Sequence, residues 1–446
     1  MSTENRALPR ATNLDTPEYA VKSADQLIPV NDFPSHMLAI QPSRMFTIRN
    51  ALANYKKKYG ADAPVYDASQ GDGGASLPGV PRDLLERAAQ LQIEHGTGYD
   101  NPFGTQQFRV ATAERYWQLK AETGWGPDNI IFVQGGRDGL NKAYAAMIAC
   151  GNGRVGDALV VSRVPWVSYN WGPYMTNLNV MRAPGDPAQG WKYTPESIQA
   201  CADFAARDGR QLAGIIITSP DNPTGLTLPV EEQITLAKAA LKAGIPFVLF
   251  DWIYHRVTEN GDPSDINAVL LAFDKDERDR LIFLDGITKS LGGSNIRSAH
   301  LVASKKVVDY INSIASHGVT PSYYAQAVAI AAYEQDFREA SASLIQPISQ
   351  SRKMLRAALE KSDLPFIMGD GYYAFLDLTA YIQAAGYEDS EKMGSYLAEE
   401  HGIAVVPGIH FSPAGANWVR FSYALPPQKT EKAIVQLFSG LAAIKK

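Results

Sequence analysis

Between about residue 125 and residue 304, short apolar runs alternate with stretches of helical periodicity. Several of these runs are apolar throughout, as in strands that are buried on both faces. Strands that alternate with helices favour a largely parallel sheet covered by helices, so the pattern predicts an α/β fold. The predicted strands are 130–133, 158–161, 215–217, 246–250, 281–284 and 301–302.

The segments on either side of this alternation have a different pattern. Residues 1–40 are polar, contain several prolines and show weak periodicity, so an arm is predicted there rather than a domain. A helix is predicted from Pro42 and Ser43 to Gly60, because apolar residues recur every three or four positions. From about residue 325, a long helical pattern through 326–344 begins a smaller α+β region. Its strand-like pieces are 373–376, 403–406 and 418–421.

The overall composition excludes several classes of protein. The chain has 446 residues, a net charge of -5 and no long basic run, so no nucleic-acid or anionic membrane partner is expected. Two cysteines, Cys150 and Cys201, make no disulfide framework, and the seven histidines form no metal-binding motif. No secretory signal is recognised, and no apolar run approaches the roughly 20 residues of a membrane helix. A reducing, cytoplasmic location is predicted.

Ligands in open α/β sheets bind beyond the carboxyl ends of the strands, so the residues after each apolar run are the most informative. After 130–133 comes the glycine-rich turn 134–140. Its backbone amides can face an anion at a helix N-terminus, although an ordinary tight turn has the same composition. After 158–161 comes Trp166, which can stack on a flat ring or belong to the core.

Polar residues also follow the next two predicted strands. Asn222 lies in the turn-forming segment 218–225, where its amide can bind a ligand oxygen or simply close a long turn. Asp251 directly follows the run 246–250 and is costly to bury without a partner. A cationic ring nitrogen is one such partner, and the capping of a helix start is the alternative.

Three basic residues complete the set. Lys289 follows a strand within the glycine-rich loop 285–297, where a desolvated amine can act as a nucleophile, although most lysines are solvated. Arg297, eight residues later, can hold a phosphate. Arg420 lies inside the apolar run 418–423 and needs an anionic partner, either a substrate carboxylate or a structural salt bridge.

The order and spacing of these features together resemble the class I/II aminotransferases, the aspartate-aminotransferase-like branch of the fold-type-I pyridoxal-phosphate enzymes. The resemblance runs from about Pro42 to the C-terminus and is strongest at 219–225, 285–297 and 405–423. It implies an α/β fold with a mostly parallel sheet of the seven-stranded type, in a large cofactor-binding domain at 79–324. Residues 41–78 and 325–446 are then expected to form the small α+β domain.

The resemblance implies a role for each residue around the cofactor ring. Lys289 resembles the lysine that carries pyridoxal phosphate as a Schiff base, and Asp251 resembles the carboxylate that keeps the ring nitrogen protonated. Asn222 and Tyr254 match the pair that bonds the phenolic oxygen of the ring, and Trp166 matches the aromatic that stacks on it. Lys289, Asp251 and Tyr254 are the predicted catalytic residues.

The cofactor phosphate has its own implied contacts. Gly136, Arg137 and Asp138 match the phosphate-binding turn, and Arg297 matches the phosphate-binding arginine. Tyr99 resembles the tyrosine that reaches the phosphate of the partner subunit, which implies a homodimer with shared active sites.

The implied activity is the transfer of an amino group between an L-amino acid and a 2-oxo acid. Gly71 resembles a backbone contact beside the substrate, and Arg420 resembles the clamp for its α-carboxylate. Trp166 and Asn222 complete the predicted substrate site.

The sequence also departs from the family pattern. Gly73-Gly74 stands where a Pro-Asp pair commonly follows, and Gly286 stands where a phosphate-binding hydroxyl is frequent. Ser298-Ala299-His300 follows Arg297 where many members have a hydrophobic residue, glycine and an aromatic. These departures leave two alternatives open. One is another pyridoxal-phosphate reaction (elimination, replacement, cyclisation or oxidative deamination), and the other is a non-catalytic cofactor-binding regulator.

Overall fold

The computed structural model describes residues 16–21, 23–28, 30, 44–258 and 264–444. Nine strands lie before residue 304 in these residues. They are β1 (Glu18–Tyr19), β2 (Tyr66–Asp67), β3 (Ile130–Val133), β4 (Ala158–Val161), β5 (Asn179–Arg182), β6 (Leu212–Thr218), β7 (Val248–Asp251), β8 (Leu281–Gly286) and β9 (Ala299–Ala303). Further along are β10 (Phe366–Met368), β11 (Tyr373–Asp377), β12 (Ile403–Ala404), β13 (Val406–Pro407) and β14 (Trp418–Ser422).

The α-helices of the described residues fall into two groups, before and after β9. Those before β9 are α1 (Met45–Tyr59), α2 (Gly73–Ser76), α3 (Arg82–His95), α4 (Gln106–Val110), α5 (Gly136–Cys150), α6 (Val167–Trp171), α7 (Pro195–Arg207), α8 (Val230–Lys242), α9 (Ile266–Leu271), α10 (Lys275–Arg278) and α11 (Ile287–Ser290). Those after it are α12 (Lys305–Ala315), α13 (Tyr323–Tyr333), α14 (Phe337–Glu360), α15 (Thr379–Ala384), α16 (Ser390–His401) and α17 (Pro427–Ile444).

The larger sheet has the strand order β1-β5-β4-β6-β7-β8-β9-β3. The pairs from β5 to β8 are parallel, whereas β9 runs antiparallel to both of its neighbours. The apolar runs predicted as strands are almost completely buried, as expected of strands covered on both faces. Thr218 pairs with Asp251, and Asp251 pairs with Leu284, so β6 and β7 end level with each other and β8 extends two residues further.

This sheet confirms the predicted α/β fold, with two differences in detail. β5 has no counterpart among the predicted strands, because its sequence includes Asn179 and Arg182 and therefore does not form a continuous apolar run. β1 adds an eighth strand at the edge of the predicted seven-stranded type, from residues assigned to the arm.

The smaller sheet is antiparallel and has the order β10-β11-β14-β13. The run 403–406, predicted as one strand, forms two: β12 pairs with β2, and β13 pairs with β14. The long helix predicted through 326–344 is also wrong, because α13 ends at Tyr333 and Asp336 caps a new helix by accepting a hydrogen bond from Arg338 N at 2.9 Å. The side chains of α13 pack into the core under the larger sheet. The domain limits stay a prediction.

Helix α1 ends before Gly60 as predicted, and the predicted start signal at residues 42–43 lies outside the described residues. In the part of the chain that the structure describes, no group of three or more metal-ligating side chains occurs. None of its helices has both the length and the apolar character that a membrane crossing requires.

Candidate active site

Lys289 lies in α11, the short helix that follows β8, and its half-buried side chain faces the carboxyl edge of the larger sheet. Its Nζ donates a hydrogen bond to the carbonyl oxygen of Gly71. Burial lowers the pKa of Lys289 to about 8, Arg420 adds to this decrease, and Asp72 opposes it. A substantial fraction of this amine is therefore neutral near pH 8 and able to act as a nucleophile.

Asp251 ends β7 and is buried. Its carboxylate accepts hydrogen bonds from Tyr169 Oη at 2.6 Å and from Ile253 N at 3.2 Å. Burial raises the pKa of Asp251 to about 6, against the opposing effect of these bonds. Both donors are neutral, so these bonds do not neutralise the negative charge of the buried carboxylate. A cationic ring nitrogen would do so.

Arg420 lies on β14 and is buried beside Asn222, which belongs to the turn after β6. Its Nη1 donates to Asn222 Oδ1 at 2.8 Å, and its Nη2 donates to Ser69 O at 2.8 Å. Its Nε is buried and has no hydrogen-bond partner among the described residues. A buried guanidinium with a free N–H fits a carboxylate ligand.

Tyr254, three residues after the end of β7 at Asp251, is buried close to Lys289. The Lys289 Nζ lies 5.8 Å from the centroid of the Tyr254 ring. The Tyr254 hydroxyl is hydrogen-bonded to the Tyr373 hydroxyl at 2.9 Å. Burial, together with this neighbour, holds the pKa of Tyr254 well above its usual range, so the phenol keeps its proton and can donate it in a hydrogen bond.

The glycine-rich turn after β3 leads into α5, which begins at Gly136. Backbone N–H groups in the first turn of a helix have no intrahelical acceptor and can bind an anion. Gly135 has a φ of 85°, and a Cβ there would lie 2.2 Å from Nη2 of Arg297. Asp138 accepts hydrogen bonds from Gln134 N at 2.8 Å and from Lys142 Nζ at 2.7 Å, so its carboxylate stabilises the turn.

Arg297 connects this turn to the lysine loop. Its φ of 62° is in the left-handed region, which costs energy for a residue other than glycine. The guanidinium donates to Ser294 O at 2.7 Å and to Gln134 O at 3.1 Å, and the residue is exposed. Its remaining N–H groups are available for a phosphate beside the α5 N-terminus.

Trp166 precedes α6 and lies beside the same turn. The Cζ of Arg137 is 5.4 Å from the centroid of the Trp166 ring, and the Tyr169 ring contacts the indole edge-on at 5.3 Å. The structure therefore brings the predicted stacking residue close to both the phosphate turn and the side chain that bonds Asp251.

Two of the departures from the family pattern have a steric cause. A Cβ at Gly286 would lie 2.6 Å from Ala299 Cα, so β9 leaves no space there for a hydroxyl side chain. A Cβ at Gly74 would lie 2.2 Å from the carbonyl oxygen of Gly292 in the lysine loop. Glycine at both positions lets neighbouring backbone segments approach closely.

The predicted site residues therefore meet at one edge of the sheet, with one exception. Tyr99 is 97 % exposed, and its side chain makes none of the contacts described above. Several contact residues have no local signal in the sequence. Tyr169 and Tyr373 resemble ordinary core aromatics, and Ser69 contributes only its backbone oxygen.

Comparison with known proteins shows the family of the chain. Residues 68–437 match the family described as aminotransferase class I and II. The chain is 24 % identical to the aspartate aminotransferase of Thermotoga maritima over 357 residues, which cover 80 % of this chain and 86 % of that protein. It is also 24 % identical to the aspartate/prephenate aminotransferase of Thermus thermophilus over 403 residues, which cover 89 % of this chain and 95 % of that protein.

The fold has solved counterparts. An aminotransferase from Mycobacterium tuberculosis superposes with a TM-score of 0.77 at 20 % identity, over 92 % of this chain and 100 % of that one. The aspartate aminotransferase of Thermus thermophilus with maleate gives a TM-score of 0.74 at 22 % identity, over 90 % and 97 %. Family, fold and site chemistry agree, and the chain is a pyridoxal-phosphate-dependent enzyme of the class I and II aminotransferase family.

Proposed function

We propose that Lys289 binds the cofactor covalently through Nζ and then acts as the acid–base group of the amino transfer between an L-amino acid and a 2-oxo acid. The observation that carries this proposal is the half-buried Lys289 amine, with its pKa lowered by burial to about 8, in the same site as Asp251 and Arg420. A neutral amine is required for the attack on the cofactor and for removal of a proton from the substrate Cα.

When bound, pyridoxal phosphate supplies a ring that takes up the electron pair left as the substrate Cα–H bond breaks. Asp251 would hold the proton on the ring nitrogen by a charge-assisted hydrogen bond. Tyr254 and Asn222 would donate to the ring oxygen, and Trp166 would cover the ring face. Lys289 Nζ would receive the proton from the substrate Cα as a general base and would then act as the acid that gives it up again.

The remaining residues would orient the two ends of the bound molecules. Arg420 would grip the substrate α-carboxylate with its planar fork, next to the Gly71 backbone. The amides of Gly136 and Arg137 and the guanidinium of Arg297 would hold the phosphate. Asp138 would act through the turn that it stabilises.

A homodimer with shared active sites is the proposed assembly. Tyr99 is 97 % exposed, and Ile93 and Val319 are each 74 % exposed, which is unusual for large apolar side chains of one monomer. Tyr99 would reach the phosphate of the second subunit. Hybrid dimers test this: mixing inactive Lys289→Ala and weakened Tyr99→Ala enzymes should give one site with both wild-type residues. Activity that does not rise on mixing, or a monomer in sedimentation, would refute the shared site.

The half-reaction with amino acid alone tests the proposed chemistry. The enzyme with bound cofactor is mixed with a panel of L-amino acids that begins with aspartate, since several relatives are named aspartate aminotransferase. Loss of the cofactor's aldehyde-type absorbance with stoichiometric 2-oxo acid supports transamination, and Lys289→Ala is the control. Release of ammonia or of a side-chain fragment would indicate one of the other pyridoxal-phosphate reactions. An unchanged spectrum throughout the panel would favour a regulator.

A further inference from the structure

Tyr373 lies between the residues proposed for the cofactor and those proposed for the substrate, although the sequence predicts no role for it. It belongs to β11 and is 1 % exposed. Its hydroxyl is 2.9 Å from the Tyr254 hydroxyl, and Arg420 Cζ lies 4.2 Å from the centroid of its ring. A Cβ at Gly71 would be 2.7 Å from the same hydroxyl. One side chain thus contacts three residues of the site.

We propose that Tyr373 is a positioning residue of the amino-transfer reaction: its hydroxyl donates to Tyr254, and its ring fixes the guanidinium of Arg420. It would connect the group that binds the cofactor's ring oxygen to the group that binds the substrate carboxylate. The proposal rests on the roles of Tyr254 and Arg420 given above.

The direction of the hydrogen bond follows from counting protons. In the chain alone, either hydroxyl can be the donor. A phenol carries one proton, so once Tyr254 donates to the ring oxygen, the bond between the two tyrosines must be donated by Tyr373. Hydrogen bonds in a chain polarise one another, so the Tyr373 proton strengthens the donation by Tyr254 and favours the anionic form of the ring oxygen.

The ring of Tyr373 acts on Arg420, the residue proposed to bind the substrate carboxylate. The Arg420 guanidinium lies over it at the distance of a cation–π contact, while Nη1 and Nη2 are bonded to Asn222 and Ser69. These three contacts determine the plane of the guanidinium and leave Nε free. The hydroxyl and the ring of Tyr373 therefore have separate effects, which two substitutions can distinguish.

Tyr373→Phe removes the hydroxyl and keeps the ring. The readout is the pH midpoint of the visible absorbance of the bound cofactor, measured without amino acid. A weaker Tyr254 contact makes the ring oxygen more basic, so the midpoint should rise by about half to one pH unit, the size expected for one lost neutral hydrogen bond. The matched control is Tyr193→Phe, because the Tyr193 hydroxyl is buried and donates to Ile216 O at 2.9 Å, and it should leave the midpoint unchanged.

Tyr373→Leu removes the ring as well. It should shift the midpoint like Tyr373→Phe and in addition raise the amino-acid KM about tenfold, the range of a desolvated cation–π contact. In Tyr373→Phe, that KM should change much less. A midpoint that stays constant or falls in Tyr373→Phe would overturn the proposal, and so would an equal KM in the two variants.

Gly71→Ala gives an independent check with Tyr373 still present. Its new Cβ would meet the Tyr373 hydroxyl at 2.7 Å, whereas the next atom, Tyr373 Cζ, is 3.8 Å away. The substitution should therefore displace the hydroxyl and reproduce the midpoint shift, and the Gly71→Ala/Tyr373→Phe double variant should show no larger shift. A shift in the double variant equal to the sum of the two single shifts would contradict the proposal. If the wild-type enzyme binds the cofactor but converts no amino acid, the proposed transamination is wrong. The pH midpoint of Tyr373→Phe still tests the hydrogen bond of Tyr373 in that case.

Discussion

The hydroxyl of Tyr169 donates a 2.6 Å hydrogen bond to the buried carboxylate of Asp251. Tyr169 lies in α6, three residues after Trp166, and Asp251 ends β7. This short helix therefore carries the group that orients the proposed partner of the ring nitrogen, and the proposed stacking residue directly precedes it. The bond also opposes the effect of burial on the Asp251 pKa, which stands at about 6.

Tyr169→Phe should raise the pKa of Asp251 further, because burial is then less opposed. A carboxylate holds a protonated ring nitrogen only when ionised, so cofactor affinity should fall as pH drops through this pKa. In Tyr169→Phe, the loss of cofactor affinity should begin at a higher pH than in the wild type. The cofactor Kd at pH 7 should rise about three- to tenfold, as for one lost hydrogen bond. Titration of cofactor-free enzyme at several pH values measures both effects.

Tyr174→Phe is the matched control for this prediction. Its hydroxyl accepts a hydrogen bond from Val180 N at 3.4 Å and is close to α6 but does not contact Asp251. An identical pH dependence in wild type and Tyr169→Phe would show that the tyrosine does not support the carboxylate.

The pKa of about 8 at Lys289 predicts how covalent attachment of the cofactor depends on pH. Only the neutral amine attacks, so the attachment rate should rise about tenfold per unit up to pH 8 and level off above it. Stopped-flow absorbance of cofactor-free enzyme mixed with pyridoxal phosphate between about pH 6.5 and 9.5 follows this rate. Lys289→Ala should show no attachment. A rate that is constant over this range would contradict the lowered pKa.

Arg420→Lys keeps the charge and removes the planar fork. Lysine cannot bond a carboxylate bidentately, so the amino-acid KM should rise at least about tenfold. The cofactor Kd should stay within about twofold, since Arg420 is not among the proposed cofactor contacts. Arg280→Lys is the control, because Arg280 donates to Ile245 O at 2.6 Å and Pro246 O at 2.9 Å, outside the proposed site. Loss of cofactor from Arg420→Lys would instead identify a structural arginine.

The sequence predicts the strand ends well, because strands buried on both faces leave continuous apolar runs. Asp251 and Lys289 could be singled out because each follows such a run. Tyr169 and Tyr373 could not, since a buried aromatic in a helix or strand has the same local pattern whether it packs or donates a hydrogen bond. Their partners are 82 and 119 residues away in the chain, and only the fold brings them together.

The break between α13 and α14 illustrates a second limit. Three polar residues separate the helices, but Tyr333 and Phe337 on either side of them keep the four-residue spacing of apolar positions. The sequence therefore predicts one helix. The capping hydrogen bond of Asp336 is what starts the new helix, and an Asp within a helical pattern is a weak signal by itself.

Glu18 connects the N-terminal segment to the larger sheet and supports a stability prediction. Its carboxylate oxygens lie 3.4 Å from Arg182 Nη1 and 3.6 Å from Arg163 Nη2, and these arginines are 5 % and 1 % exposed. Glu18→Gln removes a negative charge shared by two buried cations, so the free energy of unfolding should fall by about 3 kcal/mol. Urea unfolding of the enzyme with bound cofactor measures the change.

The exposed pair Arg82–Glu86 provides the control for Glu18. Its side chains are 90 % and 62 % exposed, and Glu86→Gln should change the free energy of unfolding by at most about 0.5 kcal/mol. Equal effects of Glu18→Gln and Glu86→Gln would mean that water or another group already compensates Arg163 and Arg182, and that the Glu18 carboxylate does not hold β1 to β5.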